Sequence, residues 1–136
     1  MYPVPQSLID KDQFLNGTSE VVQGTSLSLD AAKQEVLRRF PGKPYCLVTH
    51  WIVADVLMTD EARSVVEAGG RKTRMVYAHT VIDDQAGRFD SGWWARSSWE
   101  VSYDQDGFFE TRSTVYVLMG EGQRKETSID VINGIF

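Results

Sequence analysis

Apolar and polar residues alternate most regularly between residues 93 and 119. From 93 to 103 one set of alternate positions holds Trp93, Ala95, Ser97, Trp99, Val101 and Tyr103. The other set holds Trp94, Arg96, Ser98, Glu100 and Ser102. A period of two marks a strand with one buried and one wet face. Asp104, Gln105, Asp106 and Gly107 follow, and alternation resumes from Phe108 to Met119. The pattern predicts a long two-stranded hairpin. A three-residue loop closed by a left-handed Gly107 sets its register. Tyr103 then meets Phe109, Val101 meets Thr111, Ala95 meets Val117 and Trp93 meets Met119. On the opposite face Glu100 meets Arg112, Ser98 meets Thr114, Arg96 meets Tyr116 and Trp94 meets Leu118. Apolar falls on apolar and acid on base. Such pairs contribute roughly 0.2–1 kcal/mol each, enough in sum to select a register.

Upstream, Leu29, Ala32, Val36 and Phe40 recur at helical spacing, with Leu37 widening the stripe, Ser28 as N-cap and Pro41-Gly42 as the stop. Residues 45–57, YCLVTHWIVADVL, are nearly all apolar and β-branched or aromatic, which predicts a buried strand, long enough for a bend or a second element near Ala54-Asp55. Thr59 caps a short helix to Ala68 with Ala62, Val65 and Val66 inward, ended by Gly69-Gly70. Residues 73–83 are apolar on both faces and predict a central strand; 124–132 predict a last one, with Ile135 and Phe136 packing back. Residues 1–27 hold helical turns at 7–15 and an arm or loop at 19–27. The expected fold is one α+β domain: a curved antiparallel meander of four to five strands with two or three helices on one face.

A chain of 136 residues has room for one core. Its net charge of −5 argues against a general nucleic-acid binder, which needs a basic field around phosphates. No apolar run is long enough to span a bilayer, and the start lacks the basic and apolar regions of a secretion signal. With the single Cys46 this points to the cytoplasm, and the Asn16-Gly17-Thr18 sequon is then fortuitous.

Chemistry is sparse. His50 and His79, the only two histidines, sit in no metal-ligand motif and have no nameable orienting partner, so hydrogen-bonded structural roles outweigh an enzyme using either as base. Cys46 lies in an apolar strand, and a buried inert thiol outweighs a nucleophile. Neither a metal nor a cofactor is expected. The hairpin face of Trp94, Arg96, Tyr116 and Leu118, with Arg112 further along, has the aromatic and arginine content that binding hot spots favour. Its plainer reading is a face covered by helices or a second subunit. Arg71, Lys72 and Arg74 form one basic cluster, and Arg124 with Lys125 a second. Both read first as solvated strand ends, and as a shared anion site if their strands are neighbours. A small anionic ligand or nucleotide would then use Arg74, Arg96 and Arg112 with the aromatics. The last strand, if at an edge, offers pairing with a twofold mate.

Two segments, GRFDSGWWARSS at 87–98 and FFETRSTVYVLMGEGQRK at 108–125, carry a resemblance. Through Gly87, Phe89, Gly92, Arg96, Thr111, Arg112, Tyr116, Gly120, Gly122, Arg124 and Lys125, the C-terminal third resembles a family of small uncharacterised proteins of pseudomonad-type bacteria and their phages or mobile elements. The resemblance implies a small accessory protein and transfers no catalytic residue. Small acidic phage proteins often block host factors, so the leading expectation is a non-enzymatic protein that binds and modulates a host protein, of anti-defence type. A nucleotide-sequestering protein is the alternative.

Overall fold

The computed structural model describes residues 14–15 and 19–134. The expectations for residues 1–13, the sequon at 16–18, and Ile135 and Phe136 lie outside them; of the helical turns expected at 7–15, Phe14 and Leu15 are described and helical.

The order is β1 (Glu20–Gln23), α1 (Leu29–Arg39), β2 (Tyr45–Leu57), α2 (Asp60–Ala68), β3 (Arg74–Asp84), β4 (Ala95–Arg96), β5 (Ser102–Tyr103), β6 (Phe108–Glu110), β7 (Val115–Leu118), β8 (Glu121–Ser128) and α3 (Ile129–Gly134). The fold is α+β. Both long helices start where their caps predict: Ser28 Oγ accepts from Ala31 N and Thr59 Oγ1 from Ala62 N, each at 3.2 Å. α1 buries Ala32 and Val36, whereas Leu29, Leu37 and, on α2, Val65 are exposed, so the buried stripes are narrower than the sequence pattern drew them.

The eight-stranded sheet is mixed rather than an antiparallel meander of four to five. β2 organises it. One edge pairs antiparallel with β3, and the other runs parallel first to β7 and then to β8. His50 sits where the partner changes. Cys46 and Val48 share a buried cluster with Trp51 and Val53, although strict alternation would put Trp51 on the opposite side from Val48. Between the two pairs His50 takes φ 50°, the one positive φ outside glycine among the described residues, while its register with β3 continues from Thr49–Thr80 to Trp51–Ala78 and the bulge of that pairing lies between Leu47 and Val48. The bend thus falls at His50, not at Ala54-Asp55. The other side of β2 packs Leu47 against Ala32 and Val36 of α1, and Ile52, Ala54 and Val56 against Phe14 and α3.

The long hairpin does not form. Its bend does: Gly107 has φ 92°, donates to Asp104 O at 3.1 Å, and Tyr103 opposes Phe109 with ring centroids 5.6 Å apart. Ser102 still opposes Glu110 and Val101 N donates to Glu110 O at 2.7 Å; beyond these both arms leave the ribbon. Thr111 N donates to Thr114 O at 2.8 Å and Thr114 N to Thr111 Oγ1 at 3.2 Å, which reverses the chain at Arg112-Ser113 and folds β6 onto β7. On the other arm, Ala95 and Arg96 pair with Ala78 and Tyr77 of β3, and Ser97 N donates to Val76 O at 2.8 Å. Glu100 bridges to Lys72 rather than Arg112. The pairs Ser98–Thr114, Arg96–Tyr116, Trp94–Leu118, Ala95–Val117 and Trp93–Met119 are therefore absent. Nor is 124–132 one edge strand: β1 covers β8 over 121–124, β2 lines its other side, and 129–134 is helical. Over 121–124 β8 is therefore not an edge.

Gly107 is held by more than its φ. A Cβ there would lie 2.6 Å from Thr25 N and 3.0 Å from Leu118 O. Gly107→Ala adds left-handed strain, about 1–2 kcal/mol, to a backbone collision. A net loss of about 2–3 kcal/mol in urea unfolding is expected, and a loss below about 0.5 kcal/mol would show the bend to be looser than drawn.

Candidate anion-binding pocket

The residues expected to share a hairpin face are dispersed. Tyr116 and Leu118 are in the core, 4% and 0% exposed, and their side chains reach no outer surface. Trp94 is 37% exposed and stacks on Tyr77 at 6.3 Å, next to Arg96, which opposes Tyr77 across the β3–β4 pairing. Arg112 occupies the 111–114 turn and donates to Gly69 O at 3.3 Å. Arg74 begins β3 and donates to Glu100 Oε2 at 3.0 Å. The predicted set thus splits: Trp94 and Arg96 stay together over Tyr77, Tyr116 and Leu118 go to the core, and Arg74 and Arg112 come to the stretch from Gly69 to the start of β3.

That stretch borders a cleft. The Gly69-Gly70 turn brings the chain back from α2 to β3, so Arg63 and Glu67, one helical turn apart on α2, face Arg71, Lys72 and Arg74. Asp55 and Val101 complete the walls of a cleft of about 460 Å³. A Cβ on Gly69 would lie 3.3 Å from Arg112 Nη2 and 3.6 Å from Arg71 Nε, so the Arg112 guanidinium stands just behind the pocket wall.

The charges are unequally matched. Glu100 is wholly buried and takes Arg74. Asp55 takes Arg124 through a two-pronged contact, Nε to Oδ2 at 2.7 Å and Nη2 to Oδ1 at 3.0 Å. Arg63 and Arg71 have no ion-pair partner among the described residues. The Nε atoms of Arg63, Arg71 and Arg74 are all shielded from water and lack a hydrogen-bond acceptor. A shielded N–H left unpaired costs about 1–3 kcal/mol, more when charged, and all three belong to arginines that line this cleft; Glu100 Oε1, beside Arg74, is likewise buried without a partner among the described residues. The two basic clusters are not adjacent strands: β3 and β8 flank β2 from opposite edges, with Asp55 opposite Arg74 and Val53 opposite Arg124. The Lys125 ammonium turns to Phe14 O on the other side of the sheet. Arg63 was not legible as a site residue, because in sequence it is one charge on a solvated helix. Its signal was helical spacing to Glu67 just before a Gly-Gly return.

The histidines form a different feature. The β2–β3 register sets His50 opposite His79, and both border a cleft of about 440 Å³ with Glu121 and Gln123. Burial lowers the His79 pKa, and repulsion from His50 and Lys125 adds to it. His79 packs edge-on to Tyr77 at 4.9 Å. His50 holds a left-handed backbone, φ 50°, inside β2. Among the described residues no three His, Cys, Asp or Glu side chains are grouped to hold a metal ion. Burial pushes the Cys46 thiol up to about 12, with Asp84 adding to the effect, so a thiolate nucleophile is disfavoured there.

Residues 23–134 match a family described as a domain of unknown function (DUF6957). The chain belongs to this family. The match runs from the end of β1 to the end of α3, well beyond the C-terminal third that carried the resemblance, and takes in the whole cleft. No curated protein and no solved structure matches the chain. No helix among the described residues is long and apolar enough to cross a membrane.

Proposed function

We propose that this member of the family is a non-enzymatic binding protein whose ligand is a small anion-bearing molecule seated on Arg63, Arg71 and Arg74. One observation carries this: three arginines whose shielded Nε groups lack acceptors line the same cleft, and two of them have no acid partner among the described residues. A guanidinium presents a planar fork of donors that suits carboxylate and phosphate oxygens. Binding to a host protein, which the resemblance implies, depended on Trp94, Arg96, Tyr116 and Leu118 sharing a face. With Tyr116 and Leu118 in the core, the anionic ligand is the reading the geometry favours. A cytoplasmic protein would meet such ligands as metabolites.

The test is a thermal-shift and calorimetric screen of anions: phosphate, sulfate, small carboxylates, sugar phosphates and nucleotides. A ligand that binds only the folded state adds about 2.7 kcal/mol of stability at a hundred times its Kd. Arg63→Ala combined with Arg71→Ala is expected to weaken binding at least tenfold. Arg96→Ala, on the β3–β4 side of the sheet, leaves it within about twofold. No shift with any anion, or equal binding by the double variant, overturns the reading.

A further inference from the structure

We infer that the ligand is a phosphomonoester dianion on a hydroxylated, non-aromatic body, the class of the sugar phosphates. The inference rests on the anion reading above and narrows it. Charge is the first ground. Once Arg74 is committed to Glu100 and Asp55 to Arg124, the cleft retains Arg63, Arg71 and Lys72 against Glu67, an excess of two positive charges. A carboxylate offsets one of them. A phosphomonoester carries close to two negative charges above its second pKa near 6.

Direction is the second ground. The three guanidinium groups come from three elements: Arg63 from α2, Arg71 from the return after Gly70, and Arg74 from β3. Donors converging from separate walls match the three terminal oxygens of a tetrahedral phosphate better than the two coplanar oxygens of a carboxylate.

Space and lining decide the rest. The cleft, about 460 Å³, far exceeds a lone phosphate and lies in the range of small-molecule sites. Among the described residues no aromatic side chain lines it, and Val101 is its apolar wall. Bases are held by stacking on aromatic or planar side chains, worth about 1–3 kcal/mol per base. Arg74 is already engaged by Glu100, and the cleft offers a nucleobase no aromatic platform. Glu67 and Thr73 offer oxygens to hydroxyl groups instead. The nucleotide reading of the sequence thus narrows to its phosphate half.

Calorimetric titration of the full chain with a hexose monophosphate, a nucleoside monophosphate, orthophosphate, sulfate and acetate tests this. The hexose phosphate is expected to bind at least tenfold more tightly than sulfate or acetate, and more tightly than the nucleotide. Its affinity should fall about tenfold from pH 7.5 to pH 5.0, as the ligand takes up its second proton and the arginines stay charged. Sulfate, which does not titrate there, should show no comparable fall. If sulfate or acetate equals the hexose phosphate, or the nucleotide binds best, the inference is overturned while the anion pocket stands. If no anion binds, the pocket reading itself falls.

Discussion

Trp51→Ala should lower the unfolding free energy by about 3–5 kcal/mol, the range for removing a large aromatic from a packed core. Trp51 is 1% exposed, and its Nε1 donates to Met119 O at 3.2 Å. It sits where β2 changes partner from β7 to β8, the point at which the sheet is least regular. Gly122 of β8 lies flat against the ring: a Cβ there would be 2.3 Å from it. The indole therefore fills the gap left by the jog between β7 and β8 and pairs a carbonyl that the jog releases. Small domains are stable by about 5–15 kcal/mol, so the loss consumes a large share of the total. In urea the midpoint should drop with the slope unchanged. Trp51→Phe keeps most of the volume but strands Met119 O, and about 1–2 kcal/mol is expected for it. A cost below about 1 kcal/mol for the alanine variant would show that the ring does not hold this junction.

Asp84→Ala should cost about 3 kcal/mol. The Asp84 side chain is wholly buried. It accepts from Arg88 N at 2.8 Å, Phe89 N at 3.1 Å and Arg88 Nη2 at 3.1 Å. Arg88 Nη1 then donates to Thr114 Oγ1 at 2.8 Å, tying the end of β3 to the turn between β6 and β7. Removing the carboxylate strands a guanidinium and two amides. Breaking a buried pair from one side costs about 3–5 kcal/mol, and the partial exposure of Arg88 places this one at the low end. The pair also has a pH signature. Burial by itself would raise the Asp84 pKa, but the hydrogen bonds from the Arg88 side chain and the two backbone amides outweigh it and hold the carboxyl below its ordinary value. A depressed folded-state pKa contributes stability that is present above the unfolded value, near 4, and is lost as pH falls through the folded one. Wild type should therefore lose stability more steeply than Asp84→Asn below about pH 4 in acid titrations followed by urea unfolding. Parallel curves would show that Asp84 is not ionised by this network.

The parts of this fold legible in sequence are those governed by near neighbours. Ser28 and Thr59 cap α1 and α2, Gly107 makes its bend, and β2 and β3 follow from β-branched, apolar runs. The hairpin failed for a specific reason. Alternation says that residues 95–100 and 111–119 are extended, but not which strand edge each meets. Thr111 and Thr114 can close a tight turn with their own side chain and backbone, and β3 offers 95–100 a free edge, so each arm found a nearer or better partner. The site was half legible for the same reason. Arg74 and Arg112 were singled out, but for a face with Tyr116 and Leu118 that the turn at 111–114 turned inward.

The amino-acid order by itself determined the α+β class, the places where helices begin, the bend at Gly107 and the buried character of β2, because each depends on dihedral preferences and burial tendencies within a few residues. Only the tertiary structure decided that β2 runs parallel to β7 and β8, that His50 takes a left-handed backbone within β2, and that Arg63, Arg71 and Arg74 line one cleft. Those outcomes come from competition among distant strand edges for the same hydrogen bonds and from the balance of charges brought together by it, quantities that no local window of residues contains.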